Sequence, residues 1–428
     1  MTFFFDKYFN LNNYFKIISY LFIFLPIALL IGPLIPDLIV SIFALNLIFF
    51  IRKKEILEIF KLFYIRLIII FCIINVIFSL LSEYPLLSLE SSLFYFRFLF
   101  FAIFSYYLIS LNSKLIYHFF IVFLIAILIV ILAGFIEIFL TNFGFYFDKN
   151  VEQISGIFGD EQIMGSFIAR NLPLFFYFIF IFKKNNIYFI FALSILILSE
   201  VMVYLTGERT AFFLLILQTL MIILIIKNYR LIRVSTFLIS IFVIIFLSIL
   251  MPDTKNRMID KTIRQIGIEN FAHDVLKNKT KSMYAFSIEH QYHYTSAIKM
   301  FLSKPLIGHG PKSFREKCKL EKYFPKGCST HPHNNYMQLL AETGIIGTTF
   351  VLFIFLLICF SLFKNFILNN FTKNNGSDDK KSLLLISFFL TLWPIIPSGN
   401  FYNNWLNIIY YLPLIFYLFE IKKKTDYE

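Results

Sequence analysis

The chain has 428 residues, 59% of them hydrophobic and only 15% charged, with a formal net charge of +13. A mean hydropathy of +0.76 and apolar runs of about 20 residues exclude a soluble enzyme and predict an all-α polytopic membrane protein. The positive charge does not point to nucleic acid, because its placement is a topology signal: Arg52, Lys53, Lys54 and Lys61, then Lys114, Lys183 and Lys184, Lys227, Arg230 and Arg233, and finally Lys364, Lys373, Lys380, Lys381 and Lys422 to Lys424 fall in alternate short loops.

In chain order, apolar periodicity predicts helix cores over residues 14–31, 34–51, 64–81, 91–110, 115–140, 164–182, 187–206, 210–227, 234–251, 338–363, 382–398 and 402–421, about twelve in all. The first is followed by no small-residue cleavage site and is expected to stay in the membrane. The 59 Phe and 24 Tyr residues read as compositional bias. The intervening short loops carry Glu83, Glu90, Asp148, Glu152, Asp160 and Glu161 in place of Lys. By the positive-inside rule both termini are then cytoplasmic, and the polar stretch 252–330 lies outside, between helices 9 and 10. The expected organisation is helices 1–9 over 1–251, a large outer loop with the candidate motif over 252–337, and helices 10–12 over 338–428.

Charges inside apolar spans are costly and mark either interhelical pairing or function. Arg66 lies near the cytoplasmic end of its helix and is expected to snorkel. Arg97, Glu137, Arg170, Glu200 and Arg209 all fall in the outer half of the membrane when a rise of about 1.5 Å per residue is applied. Pairs of Glu and Arg would explain part of that pattern; a polar site explains the shared depth. Arg209 stands in Thr206-Gly207-Glu208-Arg209-Thr210-Ala211, where a glycine and two hydroxyl residues interrupt an apolar run and suit a turn that lets an anion approach.

At the same level lies His331-Pro332-His333-Asn334-Asn335-Tyr336, followed by Gln338, Glu342, Gly344 and Gly347, where the polar loop re-enters the membrane. His333 is the candidate base; His331, stiffened by Pro332, reads as a positioning or solvated residue, and Glu342 stands where it can orient an imidazole or pair with an arginine. His309 sits between two glycines and reads as a loop histidine. Residues 156–165, with Asp160 and Glu161, are a candidate outer-loop contributor to substrate binding.

Cys72 and Cys359 lie in apolar helices and read as packing residues, while Cys318 and Cys328 share the outer loop, where an oxidising compartment favours a disulfide. A zinc site from Cys318, Cys328, His331 and His333 has suitable ligand types but no common zinc spacing.

Arginines and an imidazole at the outer membrane surface suit a glycan carried on a lipid pyrophosphate. The planar guanidinium grips phosphate oxygens and stays charged, while a neutral histidine takes the proton of an acceptor hydroxyl. No Asp-x-Asp pair occurs in the chain, so the usual metal and nucleotide-sugar arrangement is missing, and no cofactor or metal is expected.

The run His333-Asn334, nine residues, then Gly344-Ile345-Ile346-Gly347 resembles the signature of the O-antigen ligase family, which shares a fold with O-antigen polymerases. Lys304-Pro305-Leu306-Ile307-Gly308-His309-Gly310 is similar to the family's Pro-Leu-hydrophobic-Gly-x-Gly stretch, Thr206 to Ala211 to its arginine turn before the eighth helix, and Pro397-Ser398-Gly399-Asn400-Phe401 to a late turn of some members. The resemblance implies an inner-membrane enzyme whose large loop is periplasmic. It would transfer a polysaccharide from undecaprenyl pyrophosphate to a lipid A–core acceptor, with membrane lipids around it and no metal. In these terms His333 matches the proposed base and Arg209 the arginine on the donor diphosphate, with Arg97, Arg170, His290, His331, Asn334 and Glu342 as substrate-binding candidates. Many members carry an arginine where counting back from Ala297 reaches His290, so the second diphosphate contact is left to His290, His293 or Lys299. A polymerase using the same donor is the alternative. A transporter or flippase fits twelve helices, but such proteins place ionisable groups near the midplane and show internal repeats, which this chain does not.

Overall fold

The structure, a computed structural model, describes residues 13–142, 153–182, 186–266, 287–371 and 379–425. Every regular element among them is helical, as expected for apolar segments that must satisfy their own backbone donors and acceptors away from water. Helix α1 (Asn13–Ile31) stops at Gly32, whose φ of 140° no helix accepts, and Pro33 leads into α2 (Leu34–Phe50). Across Arg52 and Lys53 the chain bends by 107° into α3 (Lys54–Phe60). There follow α4 (Phe63–Leu80), α5 (Pro85–Ser92), α6 (Phe96–Leu111), α7 (Lys114–Asn142), α8 (Met164–Phe182), α9 (Asn186–Leu205), α10 (Arg209–Ile225) and α11 (Arg230–Leu250). Short helical turns at Pro252–Lys255, Asn256–Asp260 and Lys261–Ile266 then leave the bundle, and α12 (Ile288–Ser303) and α13 (Phe314–Lys317) build one face of the molecule, here called the loop face. The chain returns through α14 (Asn335–Phe371), α15 (Asp379–Thr391) and α16 (Asn404–Thr425).

Among the described residues, helical segments stand at each of the predicted positions. By length and composition eight stretches are able to cross a membrane, or nine when α2 and α3 make one bent span; α5 and α6 count together as Pro85–Leu111. Helices α9 and α10 are apolar but shorter, and α15 has 13 residues. The predicted core 91–110 is divided, since α5 ends at Ser92 and α6 starts at Phe96. The predicted core 382–398 ends early, at Thr391: Pro394 has no amide for the helical ladder and Pro397 repeats the block, so residues 392–403 fold back towards the loop face.

The interior is aromatic. Phe22 stacks on Phe119 with ring centroids 4.8 Å apart, and Phe178 meets Phe416 edge-on at 5.0 Å, all four fully or almost fully buried. Lipid tails are as apolar as these rings, so the helices gain from close packing rather than from leaving water. A second, small core of Ala297, Met300, Phe314, Cys318, Tyr323 and Ala341 sits where α12 meets α14 on the loop face.

Candidate active site

Two glycine-containing segments make the frame of the site. Gly344 adopts φ 61° and ψ −162° and breaks α14, freeing backbone groups on both sides of the break. The 304–310 segment takes them up: Ile345 N donates to Pro305 O (2.8 Å), Gly310 N to Glu342 O (2.8 Å) and His309 N to Ala341 O (3.1 Å). Such close approach needs glycine, because a Cβ on Gly308 would lie 2.4 Å from the Glu342 backbone and one on Gly344 2.5 Å from Leu306. His309 is structural, with Nε2 2.9 Å from Ser303 Oγ and its carbonyl accepting from Ser82 Oγ at 2.7 Å.

The histidine segment is pinned from below. Asn334 caps α14, its Oδ1 accepting from Tyr336 N (2.9 Å) and Met337 N (3.0 Å), while Nδ2 donates to Pro394 O (2.8 Å) and Ile396 O (3.1 Å). Ser398 N donates to His333 O (2.9 Å), and Gln338 Nε2 donates to Asn400 Oδ1 (2.9 Å). His333 itself has φ 54°, a left-handed conformation that costs a β-carbon residue about 1–3 kcal/mol and persists only when neighbours hold it. Its ring lies 4.1 Å from that of His331, 5.0 Å from His293 and 5.9 Å from His290. Burial, reinforced by those three imidazoles, pushes His333 down to about 3; burial pushes His331 down to about 4. Both rings are neutral at physiological pH.

His331 and His333 open into a cavity of about 840 Å³ whose wall also carries Arg170, Arg209, Arg257 and Arg315. Arg209 begins α10 after a turn at Gly207 (φ 73°), and Glu208 fastens that turn to the start of α8 by accepting from Gly165 N and Ser166 N (3.0 Å). Arg170 is buried over the ring of Tyr410 (5.3 Å to the centroid), with one terminal nitrogen unpartnered. The remaining wall mixes apolar residues, among them Leu29, Ile31, Ile157, Phe158, Leu406 and Ile409, with polar ones that include Glu161 and Glu208. The cavity brings a neutral imidazole and guanidinium groups to one wall.

The sequence-derived candidates divide. Arg170, Arg209, His331 and His333 line the cavity, as does Glu161 from the 156–165 stretch. Asn334 and Glu342 do not line it: Asn334 anchors the residues beside it, and buried Glu342 accepts from Phe314 N (2.9 Å) and Gln338 Nε2 (3.0 Å), holding the start of α13. Arg97 pairs with Asp37 at 2.7 Å, away from the cavity lining. Glu137 accepts from Ser155 N (3.1 Å) and shapes the turn before the 156–165 stretch. Glu200 is bound to Arg233, which also donates to Thr219, in a fully buried cluster between α9, α10 and α11. Arg233 is thus no loop cation; its side chain reaches inward to neutralise Glu200. His290, by Ser287 Oγ (2.8 Å to Nδ1), and His293, by Gly327 O (2.9 Å to Nδ1), back the His333 ring. Cys318 and Cys328 are joined to each other, Cα–Cα 4.9 Å, which leaves no thiol pair for zinc. Sequence reasoning missed Arg257 and Arg315, since cations in a long loop carry neither periodicity nor topology information.

Residues 191–354 match the model of a family described as O-antigen ligase. The matched stretch begins in α9 and ends in α14, so it spans the Arg209 turn, the loop face and the His333 segment. No match was found among curated proteins. The likeness to that family is thus confined to these helices and the loop face between them.

Proposed function

We propose that this protein transfers a polysaccharide from undecaprenyl pyrophosphate to a lipid A–core acceptor, at the periplasmic face of the bacterial inner membrane, with both termini in the cytoplasm. The observation that carries the reading is one amphipathic cavity in which His333 shares a wall with Arg209 and Arg170 while Leu29, Ile157, Phe158 and Leu406 supply apolar surface. A lipid diphosphate has the matching halves.

In this reading the acceptor hydroxyl approaches His333 and the donor's anomeric carbon faces it. The imidazole takes the hydroxyl proton as the new glycosidic C–O bond forms and the bond from the anomeric carbon to the diphosphate oxygen breaks. The lipid diphosphate leaves with the bonding electron pair, and Arg209 offsets the charge gathering on it. A His333 ring resting near 3 is a feeble base, but a diphosphate beside it favours the imidazolium and raises its basicity where the chemistry needs it. Arginines doing this work imply transfer without a divalent ion.

The test is transfer by the purified full-length protein in liposomes that contain a lipid-pyrophosphate-linked glycan and a lipid A–core acceptor. The expected product is the glycan–core conjugate, formed undiminished in excess EDTA; activity lost to EDTA and restored by magnesium or zinc overturns the arginine mechanism. In a deletion strain, bare core with polymer accumulating on the carrier supports ligation, whereas core bearing a single repeat unit assigns the polymerase reaction.

A further inference from the structure

We infer that Arg257, from the segment after α11, is the second cation that grips the donor diphosphate. This rests on the lipid-diphosphate reading above and names a residue for it. A diphosphate carries more negative charge than one guanidinium offsets, and gains more as it departs. Its two phosphoryl groups share a bridging oxygen, so their countercharges must come from neighbouring points on one wall. Arg257 meets that condition. Its Nε donates to the carbonyl of Gly207 at 2.9 Å, two residues from Arg209, and both arginines line the cavity. Gly207 is buried and in the left-handed region (φ 73°), so its carbonyl is a fixed anchor that sets the guanidinium plane beside the turn. Met258, buried next to it, seats the segment that delivers the side chain.

The other cations nearby are engaged differently. His290 is held on Ser287 Oγ and packed towards His333, and it does not line the cavity. Lys299 is exposed over the ring of Phe324, 5.3 Å from its centroid. Arg170 on α8 stacks over the ring of Tyr410 and Arg315 stands on α13, whereas Arg257 is bonded to the turn that carries Arg209. A bidentate, charge-assisted contact from Arg257 alongside Arg209 completes a two-pronged clamp.

The experiment is calorimetric binding of inorganic pyrophosphate to the purified full-length protein in detergent, for wild type, Arg257→Ala, Arg257→Gln and Arg257→Lys. Wild type is expected to bind, Arg257→Ala and Arg257→Gln to bind about ten- to a hundred-fold more weakly, and Arg257→Lys to fall between. Gln, which keeps the length of the side chain without its charge, stands in where the Ala protein fails to accumulate. Neutral variants that bind like wild type overturn the inference, and so does a Lys variant as weak as the neutral ones, because Arg257 would then serve as a tether for the Gly207 turn. No pyrophosphate binding by wild type sinks the diphosphate reading itself, an outcome separate from these.

Discussion

The amide of Ser398 donates to the carbonyl of His333 at 2.9 Å, so the proposed base is held by a segment that enters from the far end of the chain. Two prolines stop α15 short of Ser398, and the extended backbone that results offers its carbonyls to Asn334 and its amide to His333. The unusual φ of His333 is maintained from both sides.

Asn334 is the means to test that linkage. In Asn334→Ser the hydroxyl still caps α14, but the two Nδ2 donations to Pro394 and Ile396 disappear, each buried carbonyl losing a bond worth about 1–3 kcal/mol to leave unmade. Turnover is expected to fall at least about tenfold while pyrophosphate binding is retained. A Ser variant with unchanged turnover would mean that His333 keeps its position without this anchor.

The Cys318–Cys328 bridge covers the small core under the loop face, where Cys318 is fully buried. Closing a loop of 10 residues restricts the unfolded chain by roughly 2–3 kcal/mol in the chain-entropy model. Alkylation of denatured, unreduced protein should therefore label Cys72 and Cys359 alone, and reductant should lower the thermal midpoint. Labelling of all four thiols without reductant would show that the loop face is held by packing only.

The positions of the helical segments were legible in the chain because apolar periodicity is a local signal. The Gly308 and Gly344 segments were visible as motifs, yet not as partners, since Ile345 N to Pro305 O is a bond between segments whose approach depends on how α12 and α14 pack. Depth arithmetic grouped Glu200 and Glu137 with Arg209, but depth says nothing of azimuth: Glu200 turns towards Arg233, and Glu137 towards Ser155. Arg257 and Arg315 stayed hidden for the converse reason, being drawn into the cavity by loop geometry with no pattern in sequence. The histidine cluster was half visible, with His331 and His333 adjacent in the motif and His290 and His293 contributed by one face of α12.

The pH dependence follows from the depressed histidines. The imidazole of His333 must be neutral to act, and with its value near 3 and that of His331 near 4 in the unliganded protein, kcat/KM is expected to show no acid limb between pH 5 and 7. The acid limb of kcat should lie at higher pH, because the bound diphosphate favours the imidazolium. Stability runs the same way: between about 3 and the unfolded value of 6.5 the unfolded chain binds more protons, so the loop face loses stability as pH falls through that window. A kcat/KM profile with an ordinary histidine limb near 6.5 contradicts the burial and the mutual repulsion of the four rings.

The division of labour between His333 and Arg209 gives the sharpest test. His333→Ala removes the base and leaves the arginines of the cavity wall, so transfer should drop by roughly a hundred- to ten-thousand-fold while pyrophosphate binding persists. Arg209→Ala should lower binding and turnover together, and Arg209→Lys should recover only part of each, because an ammonium lacks the planar fork. Neither substitution touches the Glu208 bonds that fasten the turn to α8, nor the Asn334 bonds beneath the histidine segment, and both proteins are first to be shown to insert and accumulate normally. The two phenotypes separate proton transfer from leaving-group stabilisation: one keeps binding without turnover, the other loses both. Near-normal transfer by His333→Ala, in membranes that contain donor and acceptor, would return the histidine to loop structure and leave the cavity without its base.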